Sequence, residues 1–121
     1  MTDATTIAAN YIDVWNETDP KRRRALIDQH WTENATYIDP LANVAGRDQI
    51  DALIASVQQR FPGFRFSLIG KADGYGDHAR FSWGLGPQGA DAPIKGSDVA
   101  LTERGRVRAV IGFLDQMPAA S

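Results

Sequence analysis

The chain has 121 residues, 13 Lys and Arg against 15 Asp and Glu, a net charge of −2 and 43% hydrophobic residues, which suits one domain, residues 1–121, around a single core. That balance lacks the basic footprint of a nucleic-acid or anionic-membrane binder, and the absence of cysteine excludes disulfides, thiol nucleophiles and thiolate-held metals. The opening Met1-Thr2-Asp3-Ala4-Thr5-Thr6 has no basic or apolar leader, and no apolar run approaches the roughly 18 residues of a membrane span, so a cytoplasmic protein is expected.

A first helix is expected over about Asp3–Asn16, with Ile7, Tyr11, Val14 and Trp15 recurring at helical spacing. Asp19 as N-cap and Pro20 at the first helical position open a second helix. Its buried stripe is expected at Leu26, Ile27, His30 and Trp31, and Lys21-Arg22-Arg23-Arg24 reads as a solvated face. The first strand is expected over Ala35–Asp39, stopped by Pro40 and followed by a loop through Gly46. Ile50, Leu53, Ile54, Val57 and Phe61 mark a third, amphipathic helix that Pro62-Gly63 ends.

Four strands are then expected in succession. Phe64, Phe66 and Leu68 alternate with Arg65, Ser67 and Ile69, and a turn follows at Asp73–Asp77. Phe81, Trp83 and Leu85 alternate in the next strand, which turns at Gly86–Ala90. The last two, about Ile94–Thr102 and Arg106–Leu114, meet at Glu103-Arg104-Gly105. Met117–Ser121 reads as a frayed end. Helices followed by a strand meander imply an α+β fold, helices covering one face of a curved sheet.

Asp98 is the residue that needs explaining. A carboxylate in an apolar strand is costly unless it is paired, hydrogen-bonded or protonated. Its alternation partners Gly96, Ala100 and Thr102 leave space as a pocket lining would, although the same set could line a wet edge strand. If Asp98 faces inward, desolvation raises its pKa, and Val99, Leu101, Ala109, Ile111 and Phe113 face outward. That apolar outer set needs a cover, so a homodimer is expected. His30 and His78 are too far apart in sequence, and the carboxylates wrongly spaced, for a metal site.

Four stretches carry a resemblance: Tyr11-Ile12-Asp13-Val14-Trp15-Asn16, Tyr37-Ile38-Asp39-Pro40, Gly46 before the Ile50 helix, and Val110-Ile111-Gly112-Phe113-Leu114-Asp115. With the element order they resemble the SnoaL-like members of the nuclear transport factor 2-like superfamily. The resemblance implies a cone-shaped α+β barrel, three N-terminal helices on a strongly curved mixed sheet with a pocket between. Its members include isomerases, cyclases, epoxide hydrolases and non-catalytic binding domains. Tyr11, Asp39 and Asp98 are similar in position to the site residues of Δ5-3-ketosteroid isomerase. That resemblance implies that Asp39 moves a proton while Tyr11 and a protonated Asp98 hold the enolate oxygen, with no cofactor. Trp15, Phe81, Trp83, Val110 and Leu114 are expected on the wall around a small apolar ligand.

Each residue also has a plainer reading: Tyr11 and the aromatic residues as core, Asp39 as a turn cap. Three functions stay open. One is an isomerase or cyclase acting on a small apolar carbonyl compound. A second is epoxide-hydrolase-like water activation, with Lys95 standing in for an arginine. The third is a non-catalytic ligand-binding or dimerisation domain. Asp115 offers a cyclase-like alternative to Asp39.

Overall fold

Helical stripes and strand alternation, each with one apolar face, must bury those faces against one another, and they do so in two layers. The computed structural model describes residues 3–118, so residues 119–121 of the expected frayed end lie outside the described residues. The order is α1 (Ala4–Asn16), α2 (Pro20–His30), β1 (Trp31–Asp39), β2 (Ala42–Ala45), α3 (Arg47–Arg60), β3 (Phe64–Tyr75), β4 (His78–Pro87), β5 (Ile94–Glu103) and β6 (Arg106–Gln116). The six strands form one curved sheet in the order β2-β1-β6-β5-β4-β3. β1 and β6 run parallel and every other pair is antiparallel. The sheet does not close into a full barrel; β2 and β3 are its two edges.

The helix starts follow local chemistry. Asp3 caps α1 by accepting from the Thr6 amide, and Asp19 caps α2 by accepting from the Arg22 amide. Ile7, Ala8, Tyr11, Ile12, Val14 and Trp15 of α1 are buried, in a core that includes Ile27, Ile50 and Ile54 of the other helices.

Three expectations are corrected. Trp31 does not end α2: it begins β1, wholly buried, and its ring stacks 5.8 Å from that of Tyr11. Arg23 is not on a solvated face. It is buried and donates to Asp51 Oδ1 at 2.6 Å, to Gln58 Oε1 at 2.9 Å and to the Glu17 carbonyl at 3.2 Å, tying α2 to α3. A charge run thus hides one residue whose side chain serves as an interhelical tie.

The segment after Pro40 is not simply a loop. Asp39 Oδ1 accepts from the amides of Leu41 and Ala42, both at 2.8 Å, and the chain reverses so that Ala42 pairs with Asp39 and Ala45 with Thr36. Pro40 sits in that turn, where its missing amide proton leaves no ladder bond unmade.

Candidate functional site

Between the helices and the sheet lies a cavity of about 230 Å³. Two of its wall residues come from α1, Tyr11 and Trp15, and several from α3, among them Leu53, Val57 and Arg60. The sheet adds Tyr37, Asp39, Trp83, Asp98 and Leu114. Burial grades along it. Tyr11 and Asp98 are 3% and 2% exposed, whereas Leu41, also on the wall, is 70% exposed. The cavity therefore has a deep end at Tyr11 and Asp98 and a mouth at Leu41.

Strand alternation turns Asp98 inward, together with Ile94, Gly96, Ala100 and Thr102. The Tyr11 hydroxyl donates to Asp98 Oδ2 at 2.6 Å. Asp98 Oδ1 is buried with no hydrogen-bond partner among the described residues. Burial pushes the Asp98 carboxyl from 3.8 up to about 6, against the lowering effect of Tyr11 and the nearby Trp83 indole; the Asp39 and Asp115 charges add to the rise. Burial, reinforced by the Asp98 charge, raises Tyr11 well above the ordinary phenol range, so it stays a protonated donor.

Two glycines make room. Gly96 pairs with Trp83 across β4 and β5, and a β-carbon there would lie 2.3 Å from the indole, so the ring lies directly over bare backbone. Gly112 pairs with Asp98. A β-carbon on it would lie 2.8 Å from Asp98 Oδ1 and 3.2 Å from Asp39 Cβ. The two carboxyl-bearing residues thus flank one glycine on β6.

Asp39 lies on the cavity wall and also caps its turn, which is its plain structural role. Its Oδ2 accepts from the Tyr37 hydroxyl at 2.6 Å. Both oxygens of Asp39 are thus engaged by three donors. Tyr37 is not among the site residues expected from the sequence. The available signal is its spacing of two from Asp39 in a strand, which puts both side chains on one face. Burial raises the Tyr37 phenol, with further push from Asp98 and Asp39.

Of the expected wall residues, Trp15, Trp83 and Leu114 line the cavity. Phe81 and Val110 do not: both are core residues, Phe81 packing 4.9 Å from the Tyr11 ring. Asp115 is exposed and accepts from Ser97 Oγ at 2.7 Å, and Lys95 is off the cavity wall, so neither the cyclase-like alternative nor the epoxide-hydrolase relay is assembled from them. Among the described residues no group of three His, Asp or Glu is placed to hold a metal ion, and no helix is long and apolar enough to cross a membrane.

Comparison with known proteins follows the same lines. Residues 8–110 match the SnoaL-like domain. A candidate isomerase of the SnoaL-like family from Agrobacterium tumefaciens str. C58 is 46% identical, over 95% of this chain and 99% of its own, with a TM-score of 0.89. Two more distant structures share the fold. A candidate ketosteroid isomerase from Kribbella flavida DSM 17836 is 18% identical over 98% of this chain and 82% of its own, TM-score 0.70. A candidate polyketide cyclase from Sinorhizobium meliloti is 14% identical over 88% and 93%, TM-score 0.71. No curated protein matches the chain. With a matching domain over most of its length and a structural relative at 46% identity, this chain belongs to the SnoaL-like family.

Proposed function

We propose that the protein is a cofactor-independent acid–base catalyst that moves a proton beside the carbonyl of a small, largely apolar compound, as an isomerase or cyclase. One observation carries this reading: the buried Asp98 carboxyl, with a pKa of about 6, one oxygen held by Tyr11 and the other unpartnered. A catalytic acid or base works best with a pKa near the working pH.

The roles implied by the ketosteroid isomerase resemblance change in one respect. Asp39 has three donors on its carboxylate, two on Oδ1 and one on Oδ2, which hold it to its turn and to Tyr37. Asp98 has a free oxygen and is mostly ionised at pH 7. Asp98 is therefore the proton carrier. It takes a proton from the carbon next to the carbonyl onto Oδ1, and the C–H electron pair becomes the enolate. Once neutral, Asp98 pulls less on the Tyr11 hydroxyl, which is then free to turn toward the enolate oxygen. Returning the proton to another carbon completes an isomerisation; giving it to an alkoxide formed by ring closure completes a cyclisation. Asp39 positions Tyr37 on the wall.

The cavity volume limits the substrate. An apolar cavity of about 150 Å³ holds one benzene, and drug-sized ligands occupy roughly 300–1,000 Å³. At about 230 Å³ the site suits a one-ring or short-chain compound. The test is deuterium exchange from solvent into a monocyclic β,γ-unsaturated ketone, with its conjugation followed by ultraviolet absorbance. Tyr11→Phe should slow both by about tenfold, the scale of a hydrogen bond to a charged group. It should also move the pH inflection above 6, because the Tyr11 bond holds the Asp98 pKa down. A Tyr11→Phe variant with an unchanged inflection would separate Tyr11 from Asp98 in the reaction.

We also propose a two-fold dimer on the outer sheet face. Ile111 and Phe113 are 42% and 58% exposed there, and Ile38, paired with Ile111, is exposed too. Val99, paired with Ile111, extends the strip. Contiguous apolar surface of this kind is usually covered by a partner. The wild type should sediment as a dimer at micromolar concentration and Ile111→Asp as monomer or aggregate; a monomeric wild type would contradict the proposal.

A further inference from the structure

Among the described residues the cavity wall carries one cation, Arg60, in the last turn of α3. Arg60 is exposed, while the Tyr11–Asp98 end of the same cavity is buried, so charge is sorted along the cavity. The two carboxyl groups belong to sheet strands, and the guanidinium stands at the solvent side on a helix. Among the described residues Arg60 makes no ion pair, nor do Arg65, Arg104, Arg106 and Arg108, which are off the cavity wall, whereas Arg22 and Arg24 make two each and Arg23, Arg47 and Arg80 one each. It is not simply loose: its guanidinium lies 5.6 Å from the centroid of the Phe61 ring, which also lines the cavity and stacks on Phe64 at 5.5 Å. A guanidinium held over an aromatic wall, with its donors unclaimed by any carboxylate, is an anion-recognising group.

We infer that the substrate is bipolar: a carbonyl group enters toward Asp98 and a carboxylate or other anionic group stays at the mouth on Arg60. This rests on the acid–base reading for the inner end but adds a substrate class. The inward carboxyl groups would repel an anion in the reverse orientation, so the same charges set polarity as well as affinity. The apolar wall between, including Leu53, Val57 and Phe66, takes a short hydrocarbon or single ring. Arg60 is thus a specificity-determining residue and has no part in the proton transfer.

The test compares two probes of equal size, para-acetylbenzoate and para-acetylbenzamide, by calorimetric titration of the full chain. The anion should bind about fivefold more tightly at low salt, the scale of an exposed ion pair. The preference should vanish in Arg60→Gln, reverse in Arg60→Glu, and shrink in wild type as salt is raised. Being exposed, Arg60 can be replaced with little effect on folding. Equal binding of the probes by wild type, a preference that survives Arg60→Gln, or binding of neither probe at millimolar concentration would overturn the inference. An anion preference without deuterium exchange into the ketone would overturn the acid–base reading alone.

Discussion

Asp98→Asn should lower the rate of deuterium exchange and isomerisation by about a thousandfold while making the protein more stable at pH 8. The rate effect follows from removing the group proposed to carry the proton, within the 10²–10⁴ range of a positioned acid or base. The stability effect follows from linkage. The carboxyl rises from 3.8 to about 6 on folding, so between those values the folded chain holds more proton than the unfolded one. Its contribution is therefore most favourable below pH 3.8 and is lost as pH rises through 6. At pH 8 the buried, ionised carboxylate costs up to about 3 kcal/mol, an order-of-magnitude figure, and asparagine removes that charge without changing the size of the side chain. Thermal unfolding across pH should show the variant gaining on wild type from pH 4 to pH 8. A variant less stable at pH 8 would mean that Asp98 is stabilised as an anion.

Gly112→Ala should cost about 1–3 kcal/mol in stability and about a hundredfold in rate. The new methyl would stand 2.8 Å from Asp98 Oδ1, on the oxygen assigned to take the proton, and 3.2 Å from Asp39 Cβ. Both neighbours belong to paired strands, so relief comes from moving side chains off their positions, and overpacking of this kind has that energetic scale. Misplacement of a reacting group by about an ångström is enough for the loss of rate. In an Asp98→Asn background the same substitution should change the remaining rate little, because both act through one carboxyl. Additive losses in the double variant would mean that Gly112 matters for another reason, such as the β6 backbone itself.

The inner face of β5 was legible because small residues at Gly96 and Ala100 bracket Asp98 at strand spacing, and a charge among small neighbours signals space. Tyr11 was legible through its place on the α1 stripe. β2 was not, since four residues, Ala42–Ala45, carry too little alternation, and what folds them back is a side-chain cap from Asp39. Trp31 continues the apolar stripe of α2 in sequence; pairing with Val107 of the distant β6 overrides that local pattern. Arg23 and Tyr37 were hidden for a related reason. What each does depends on Asp51, Gln58 or Asp39 being brought alongside, and a charge run or an aromatic in a strand looks the same with or without such a partner.

The choice between Asp98 as proton carrier and Asp98 as neutral donor shows most directly in the pH dependence of ketone deuterium exchange by the wild type. With Asp98 as the base, the rate should rise through pH about 6 to a plateau, following ionisation of the buried carboxyl. A rate that falls through pH 6, or exchange that persists undiminished in Asp98→Asn, would contradict it.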